Sequence, residues 1–447
     1  MKLFSLEKPI FTKKIQEEAL EKYLGYIENG GKNLFLLLSE PEYYYWDKAK
    51  YYPFPKDFTP LEAWYAVRKM RKIIAIHSPV KAESGKFFSY IPFLTSFEEW
   101  LQKIDTQTGG QMFVDYKALS TRTKEKFLSR GIIEEAIASS QLEGANTTRK
   151  VAKRMIAEHR EPKNNSERMI LNNYRAMIAL EEDYKDKKMS LELLFALHRI
   201  IVDQDSTMKN SEQGRLRSDT DNIVVFKKMS NEVVHIPPKE TFLLQEMERL
   251  IQYANDELDS KFTHPIVKAV ILHFWIGYLH PFTDGNGRIA RAVFYWYLLR
   301  KNYWTMMYLP ISTIIKKSPA QYGRAYIYSE QDDYDLTYFL SYHLKKIIQS
   351  IDDFHEYIER KLRESRQVES KIQLNGLTLN DRQKQVVAYL MQDDGQHYTN
   401  AELFKSIYGV SRLTAYKDLK KLEQCGILES KKIGLERRYF LMEKYKT

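Results

Sequence analysis

Residues 279–291 read Leu279-His280-Pro281-Phe282-Thr283-Asp284-Gly285-Asn286-Gly287-Arg288-Ile289-Ala290-Arg291, a polar, turn-rich run between the apolar segments 267–278 and 292–299. Pro281 cannot continue a preceding helix in the usual way. Gly285 and Gly287 permit backbone conformations in which successive N–H groups converge on one point. The run therefore predicts a helix over 267–278, a nest of amides, and a second helix over 288–299. Because the nest opens directly into a helix start, unpaired N–H groups and the positive end of the helix dipole face the same spot. A phosphate is the natural guest.

The side chains extend this reading. Arg288 and Arg291 stand three residues apart, on one helix face, where planar guanidinium groups can grip the oxygens of a polyphosphate. Asp284 is placed to hold a magnesium ion that bridges phosphate oxygens. His280 is the only group in the loop whose ordinary pKa is near neutrality, which makes it the candidate general base for an incoming hydroxyl. Gly285, Asn286, Gly287, Arg288 and Arg291 are the expected nucleotide-binding residues.

A chain of 447 residues is too long for one compact core and fits two or three domains. With 43% hydrophobic and 13% aromatic residues it can bury large cores, which excludes a disordered chain. The first ten residues carry Lys2, Glu7 and Lys8 and offer no signal-peptide run, so the mature chain is expected to begin near Met1. The longest apolar stretch, 292–299, is far below the roughly 20 residues of a membrane-spanning helix. A single cysteine, Cys425, excludes an intramolecular disulfide and a Cys-based zinc site, and a cytoplasmic location is expected.

The remaining segments divide by pattern. Residues 1–116 form an N-terminal extension with helical periodicity over 15–27 and aromatic stretches over 43–58 and 87–93. Residues 117–345 are mostly helical, with apolar residues at three- and four-residue spacing, and form the expected chemical core. Within it, 222–226 and 232–236 are β-rich runs joined by 227–231 and closed by Pro237-Pro238, a β-hairpin in an α domain. Residues 346–376 read as a helical linker. Residues 377–447 read as a winged helix-turn-helix: helices over 381–391, 400–407 and 411–425, then strands over 427–430 and 437–441.

Charge supports the last assignment. The net charge is +10, and residues 371–447 hold 14 Lys and Arg against 9 Asp and Glu, so about half the excess lies there. Arg412, Tyr416, Lys417 and Lys420 have the composition of a recognition helix, with Arg437 and Arg438 on the wing, and DNA is one of two contacts left open for the module. Protein docking is the other use of such a module.

The run His280-Pro-Phe-Thr-Asp-Gly-Asn-Gly-Arg-Ile-Ala-Arg291 resembles the signature of the Fic family, His-Pro-Phe-x-Asp/Glu-Gly-Asn-Gly-Arg-x-x-Arg, at every fixed position. The resemblance covers roughly residues 120–345. It implies a mainly α Fic core and a protein adenylyltransferase: His280 deprotonates a Ser, Thr or Tyr hydroxyl, which attacks the α-phosphorus of ATP while magnesium pyrophosphate leaves. The hairpin at about 221–238 is similar to the family's flap, in which Asn222, Ile223, Val224, Val225, Val234, His235 and Ile236 would line up a target segment by strand addition. Tyr322 is expected to wall the adenine, although Gly323 stands where a second tyrosine is common.

Upstream, Ser139-Ser-Gln-Leu-Glu143-Gly144 closes a helix expected over about 123–143 and matches the family's inhibitory motif, Ser/Thr-x-x-x-Glu-Gly/Asn. A Glu143 carboxylate paired with Arg291 would occupy the guanidinium meant for the terminal phosphates. The resemblance thus implies an autoinhibited enzyme whose target is another protein or the chain itself. A homodimer is open, and a membrane partner is excluded. Two rival readings remain: a DNA-binding transcriptional regulator whose core only senses nucleotide, and a de-AMPylating enzyme in which Glu143 positions a water.

Overall fold

The computed structural model describes residues 3–110, 121–205, 208–227, 232–258, 261–374, 379–390, 398–434 and 436–445. The expected boundaries at 116/117 and 376/377, and most of the flap connection 227–231, lie outside the described residues. The chain divides into two compact units, Met1–Ala152 with Pro162–Ile351, and Lys153–Glu161 with Asp352–Thr447. The fold is mainly α.

In the first unit the helices Pro265–Leu279 and Asn286–Arg300, on either side of the signature loop, are buried along almost their whole length. Their sequences are apolar on every face, as a central helix requires. Trp275, Phe274, Trp296 and Tyr297 are among the side chains they bury. Pro265 at the first turn starts the former, and Gly285, at φ 81°, caps the start of the latter. Around this pair lie Thr121–Leu142, Asn165–Ala179 and Leu191–Ile201.

The N-terminal extension folds onto the same unit. Its aromatic, proline-punctuated stretch is core: Tyr45, Trp46, Phe58 and Trp64 cluster with Tyr338. Helix Pro60–Ile74 starts with a capping box between Thr59 and Glu62. It delivers Arg71 into the cluster, where the guanidinium donates to the carbonyls of Leu38 (2.5 Å) and Tyr44 (2.9 Å) and lies 3.7 Å from the Tyr43 ring centroid. Strands β1 (Ile76–Lys81) and β2 (Phe87–Tyr90) form an antiparallel hairpin that composition did not disclose.

The flap is shorter than its sequence suggests: β3 is Val225–Phe226 and β4 is Val233–His235, paired antiparallel. Asn222 ends a turn of 3-10 helix in the left-handed conformation at φ 51°, which keeps it, Ile223 and Val224 outside the strand.

In the second unit, helices Asp381–Leu390, Ala401–Tyr408 and Arg412–Gln424 precede strands β6 (Leu428–Ile433) and β7 (Glu436–Leu441). The sheet order is β5-β7-β6, the added strand β5 (Tyr398–Thr399) lying before the second helix. Val387, Phe404, Leu419, Leu422, Ile427 and Tyr439 share its core. The buried Asp418 carboxylate accepts from Arg382 (2.8 Å), Gln383 (3.0 Å) and Asn380 (3.1 Å), which ties the first helix to the third. Residues 345 and 346 both lie within one helix, Thr337–Leu374.

Candidate active site

The loop is fixed from behind. His280 ends the helix Pro265–Leu279 in the left-handed conformation, φ 49° and ψ 58°, and its N–H still donates to the Ile276 carbonyl. A non-glycine residue keeps such a conformation only where its surroundings impose it. The buried Arg217 does so: its guanidinium donates to the carbonyls of His280 (2.8 Å) and Leu279 (3.1 Å), while its backbone N–H donates to the Pro281 carbonyl (2.8 Å). The same guanidinium reaches the Pro238 carbonyl at 2.5 Å, joining the end of the flap to the loop.

His198, on helix Leu191–Ile201, is a second support. Its ring stacks on Phe282 at 3.9 Å and 8°. Nδ1 accepts from the Gly214 N–H at 3.0 Å, so Nε2 carries the hydrogen and donates to the Asp284 carbonyl at 3.0 Å. Burial pushes this imidazole down to about 4, consistent with a neutral supporting ring. Nothing in the sequence of either Arg217 or His198 marks it as part of the loop, since each acts only through tertiary contact.

Two expected nucleotide ligands turn their side chains inward. Asn286 clamps Phe282 on both backbone groups, accepting from its N–H and donating to its carbonyl at 2.8 Å each. Arg288 is buried and donates to the Ile201 carbonyl and to Asp284 Oδ2, each at 3.1 Å. Both side chains thus hold the shape of the loop. The Asp284 side chain is 52% exposed, open to a cation on its solvent side. Among the described residues no group of three or more metal-ligating side chains is assembled, so Asp284 fits magnesium only when phosphate oxygens complete the shell.

Arg291 is buried and points along the nest. Its Nε donates to Ser139 Oγ (2.7 Å), and its Nη2 donates to the Ser139 carbonyl (3.1 Å) and to Glu143 Oε1 (2.7 Å). Nη1 has no hydrogen-bond partner among the described residues. Glu143 follows the helix Thr121–Leu142, in the turn that Gly144 completes at φ 111°. Its carboxylate lies so close to Gly287 that a Cβ there would stand 2.1 Å from Oε1. Only glycine lets the carboxylate approach the first turn of the helix Asn286–Arg300. Ser139 and Glu143 thus both meet Arg291.

Glu135, two turns before Glu143, anchors that helix. Its buried carboxylate accepts from the Tyr295 hydroxyl (3.0 Å), the Ser312 N–H (2.9 Å) and the Ser312 hydroxyl. Burial raises its pKa above the usual carboxylate range despite these donors. Tyr322 hydrogen-bonds His273 Nε2 at 2.9 Å and meets Tyr326, one turn further on, edge to face at 5.4 Å. Tyr322 also meets Tyr342 and Phe339, while Gly323 leaves open space.

On the flap, Phe226 and Ile236 are exposed, at 43% and 59%. His235, expected to face a docked target, is turned inward between Glu330 and the Tyr278 carbonyl, each 2.8 Å away. On its other side β4 carries Leu3, in a parallel bridge with Val233, and the Phe4 N–H donates to the Val233 carbonyl at 2.7 Å. His280 itself is held neutral: burial, then the charge of His235, pushes its imidazole down to about 4.

In the second unit, Arg412, Tyr416 and Lys417 are exposed on one helix, and Lys420 is partly so. Arg437 is exposed opposite Lys432, whereas Arg438 pairs with Glu436 (2.7 Å) and lies 4.1 Å from the Tyr398 ring centroid. The expected wing pair is therefore split, because successive strand residues point to opposite faces.

Residues 188–298 match the model of the Fic/DOC family. A protein adenylyltransferase Fic of Nematostella vectensis is 31% identical over 122 residues, 27% of this chain and 25% of that protein. Protein adenylyltransferase fic-1 of Caenorhabditis elegans is 26% identical over 126 residues, 28% of this chain and 22% of that protein. Among solved structures, a Fic family protein from Desulfovibrio desulfuricans G20 is 19% identical, with a TM-score of 0.48 over 77% of this chain and 96% of that one. The chain spans about a quarter of the length of the curated relatives it matches. The signature loop, the helix before it and all but the last turn of the helix after it thus fall within the residues that are similar to the Fic/DOC family.

Proposed function

We propose that this protein is an adenylyltransferase that moves AMP from ATP onto a Ser, Thr or Tyr hydroxyl of a protein, and that Glu143 restrains it. The observation that carries the reading is the Glu143 carboxylate, an anion seated on Arg291 and against Gly287 at the start of a helix. A site that accepts a carboxylate there accepts a phosphate for the same reasons.

In this reading the amides of Gly285 to Gly287 and the guanidinium of Arg291, with Nη1 to spare, hold the phosphates. Asp284 would hold magnesium against them, and that ion supplies neutralisation of the charge that develops on the leaving pyrophosphate. His280, neutral, takes the proton of the target hydroxyl. The hydroxyl oxygen bonds to the α-phosphorus as the bond to the bridging oxygen breaks. The target presents an extended segment to the flap. With Leu3 and Phe4 on the outer side of β4, strand addition falls to the edge of β3, where Phe226 is exposed.

The second unit supports a separate reading, a winged helix that contacts DNA phosphates through Arg412, Lys417 and Arg437. The exposed basic face of helix Arg412–Gln424 favours it. The test of the main proposal is incubation with ATP labelled at the α-phosphorus, followed by mass mapping of the labelled residue. Label on a hydroxyl with the mass of AMP is expected. Release of AMP from a modified protein without any forward transfer would replace this reading with the reverse reaction.

A further inference from the structure

His235 has an unusual pair of partners. Nε2 lies 2.8 Å from the Tyr278 carbonyl oxygen, which can only accept. Nδ1 lies 2.8 Å from the Glu330 carboxylate. A ring that donates at both nitrogens is an imidazolium. The ring is mostly buried, and its two partners come from different parts of the fold, the end of the helix Pro265–Leu279, which His280 caps, and the helix Pro319–Gln331.

We infer that His235 is a positioning residue: donating at both ring nitrogens, to Glu330 and to the Tyr278 carbonyl, it fastens the flap strand to the helix that carries His280 and adds its charge to the burial that disfavours a proton on that base. The inference rests on the proposed role of His280 as base. It reassigns His235 from the target-facing surface to the electrostatics beneath it.

The charges around the two rings agree. Burial works against the imidazolium of His235, yet Glu330 outweighs it and holds the group above the ordinary histidine value, while Arg217 opposes it. At His280, His235 and Arg217 both disfavour a second positive charge, and Glu143 favours it. The Tyr278 ring stands 5.5 Å from the His235 ring, and its hydroxyl accepts from the Glu83 N–H at 3.2 Å. Both charges disfavour a proton on the base, and the one supplied by His235 lies on the flap.

The test uses the full chain labelled with carbon-13 at the histidine Cε1 positions and titrated by NMR. His280→Ala and His235→Gln assign the two signals by their loss. In the wild type His235 is expected to stay protonated through 6.5, the ordinary value. In Glu330→Gln, which keeps an acceptor without a charge, His235 should lose its proton below that value and the His280 midpoint should rise. His235→Gln keeps a donor for the Tyr278 carbonyl and should raise the His280 midpoint in the same direction. That variant decides the matter if Glu330→Gln does not fold. Amide exchange across residues 233–236 should quicken in Glu330→Gln. A neutral His235 in the wild type, or a His280 midpoint unmoved in the folded variants, overturns the electrostatic role, and unchanged exchange overturns the fastening. Because none of these readouts needs turnover, absence of AMP transfer would remove the proposed function, and with it the role of His280 as base, without changing what they report of the charge and contacts of His235.

Discussion

Glu143 Oε1 accepts from Arg291 Nη2 at 2.7 Å, across 148 residues of sequence, and the same oxygen occupies the space that a side chain at Gly287 would need. A charge-assisted hydrogen bond of this kind contributes roughly 1.5–3 kcal/mol. A terminal phosphate must displace it. Glu143→Gly should therefore raise AMP transfer, to the chain itself or to a target, by about tenfold or more. Adding Arg291→Ala should cancel the gain, because the freed guanidinium is then absent. Side-by-side assays of the wild type, the single variant and the double variant with labelled ATP give the answer. A Glu143→Gly protein no more active than the wild type would remove the restraint from the mechanism.

His280→Ala should lower transfer by about 10²–10⁴-fold, the usual contribution of a general base. ATP binding should stay within a few-fold of the wild type, since Arg291 and the loop amides rather than the imidazole hold phosphate. Calorimetric titration with ATP, run beside the transfer assay in the Glu143→Gly background, separates the two. Loss of binding and transfer together would mean that His280 holds the loop and not the proton.

His198→Phe keeps the aromatic stack on Phe282 but strands the Gly214 N–H and the Asp284 carbonyl. Each buried group left without a partner costs roughly 1–3 kcal/mol. The urea midpoint should fall accordingly, and transfer should fall with it. A variant as stable as the wild type would show that the stack alone holds the loop.

The loop was legible because its chemistry is local: the proline, the glycines, the base and the arginines fall within thirteen consecutive residues, 279–291. Ser139 and Glu143 were legible only through a resemblance, since nothing in the spacing of a helix announces a partner 152 residues away from Ser139. Arg217, His198 and Glu330 were not legible. Each is an ordinary polar residue until the fold sets it against a backbone carbonyl or a buried ring. The flap was read too long because β-branched residues at 223–225 suit a strand, while Asn222 in the left-handed region and the Asp219–Asp221 turn keep that stretch irregular. Residues 43–58 offered only an aromatic stretch with no periodicity to place it, yet its aromatics are what Arg71 and Trp64 pack against.

Several histidines of the first unit are buried without charge: burial pushes His198 and His280 to about 4 and His343 to about 3. An unfolded chain takes up these protons near the ordinary value of 6.5. Between 6.5 and about 4 the unfolded state thus binds more protons than the native state, and stability falls as the pH is lowered. The slope is at most about 1.4 kcal/mol per pH unit for each histidine. Urea midpoints measured at intervals across this window should decline toward acid, and His343→Phe should flatten the decline. A midpoint independent of pH would mean that these rings are solvated in the native state.

Arg437 and Arg438 are neighbours in sequence but not in role. Arg437 stands exposed opposite Lys432 on the β6–β7 hairpin, while Arg438 is held by Glu436 and the face of Tyr398. If the second unit binds DNA through this hairpin, Arg437→Ala should weaken binding and reduce the slope of log affinity against log salt by about one, the signature of one lost phosphate contact. Arg438→Ala should leave that slope nearly unchanged. It should instead lower the stability of the second unit by about 0.5–2 kcal/mol, through loss of the cation–π contact and the ion pair. Affinities for a random-sequence duplex at several salt concentrations, with thermal melts of both variants, separate the roles. Equal slopes in all three proteins would take DNA phosphates away from the wing, and no binding by the wild type at low salt would assign the unit to a protein partner instead.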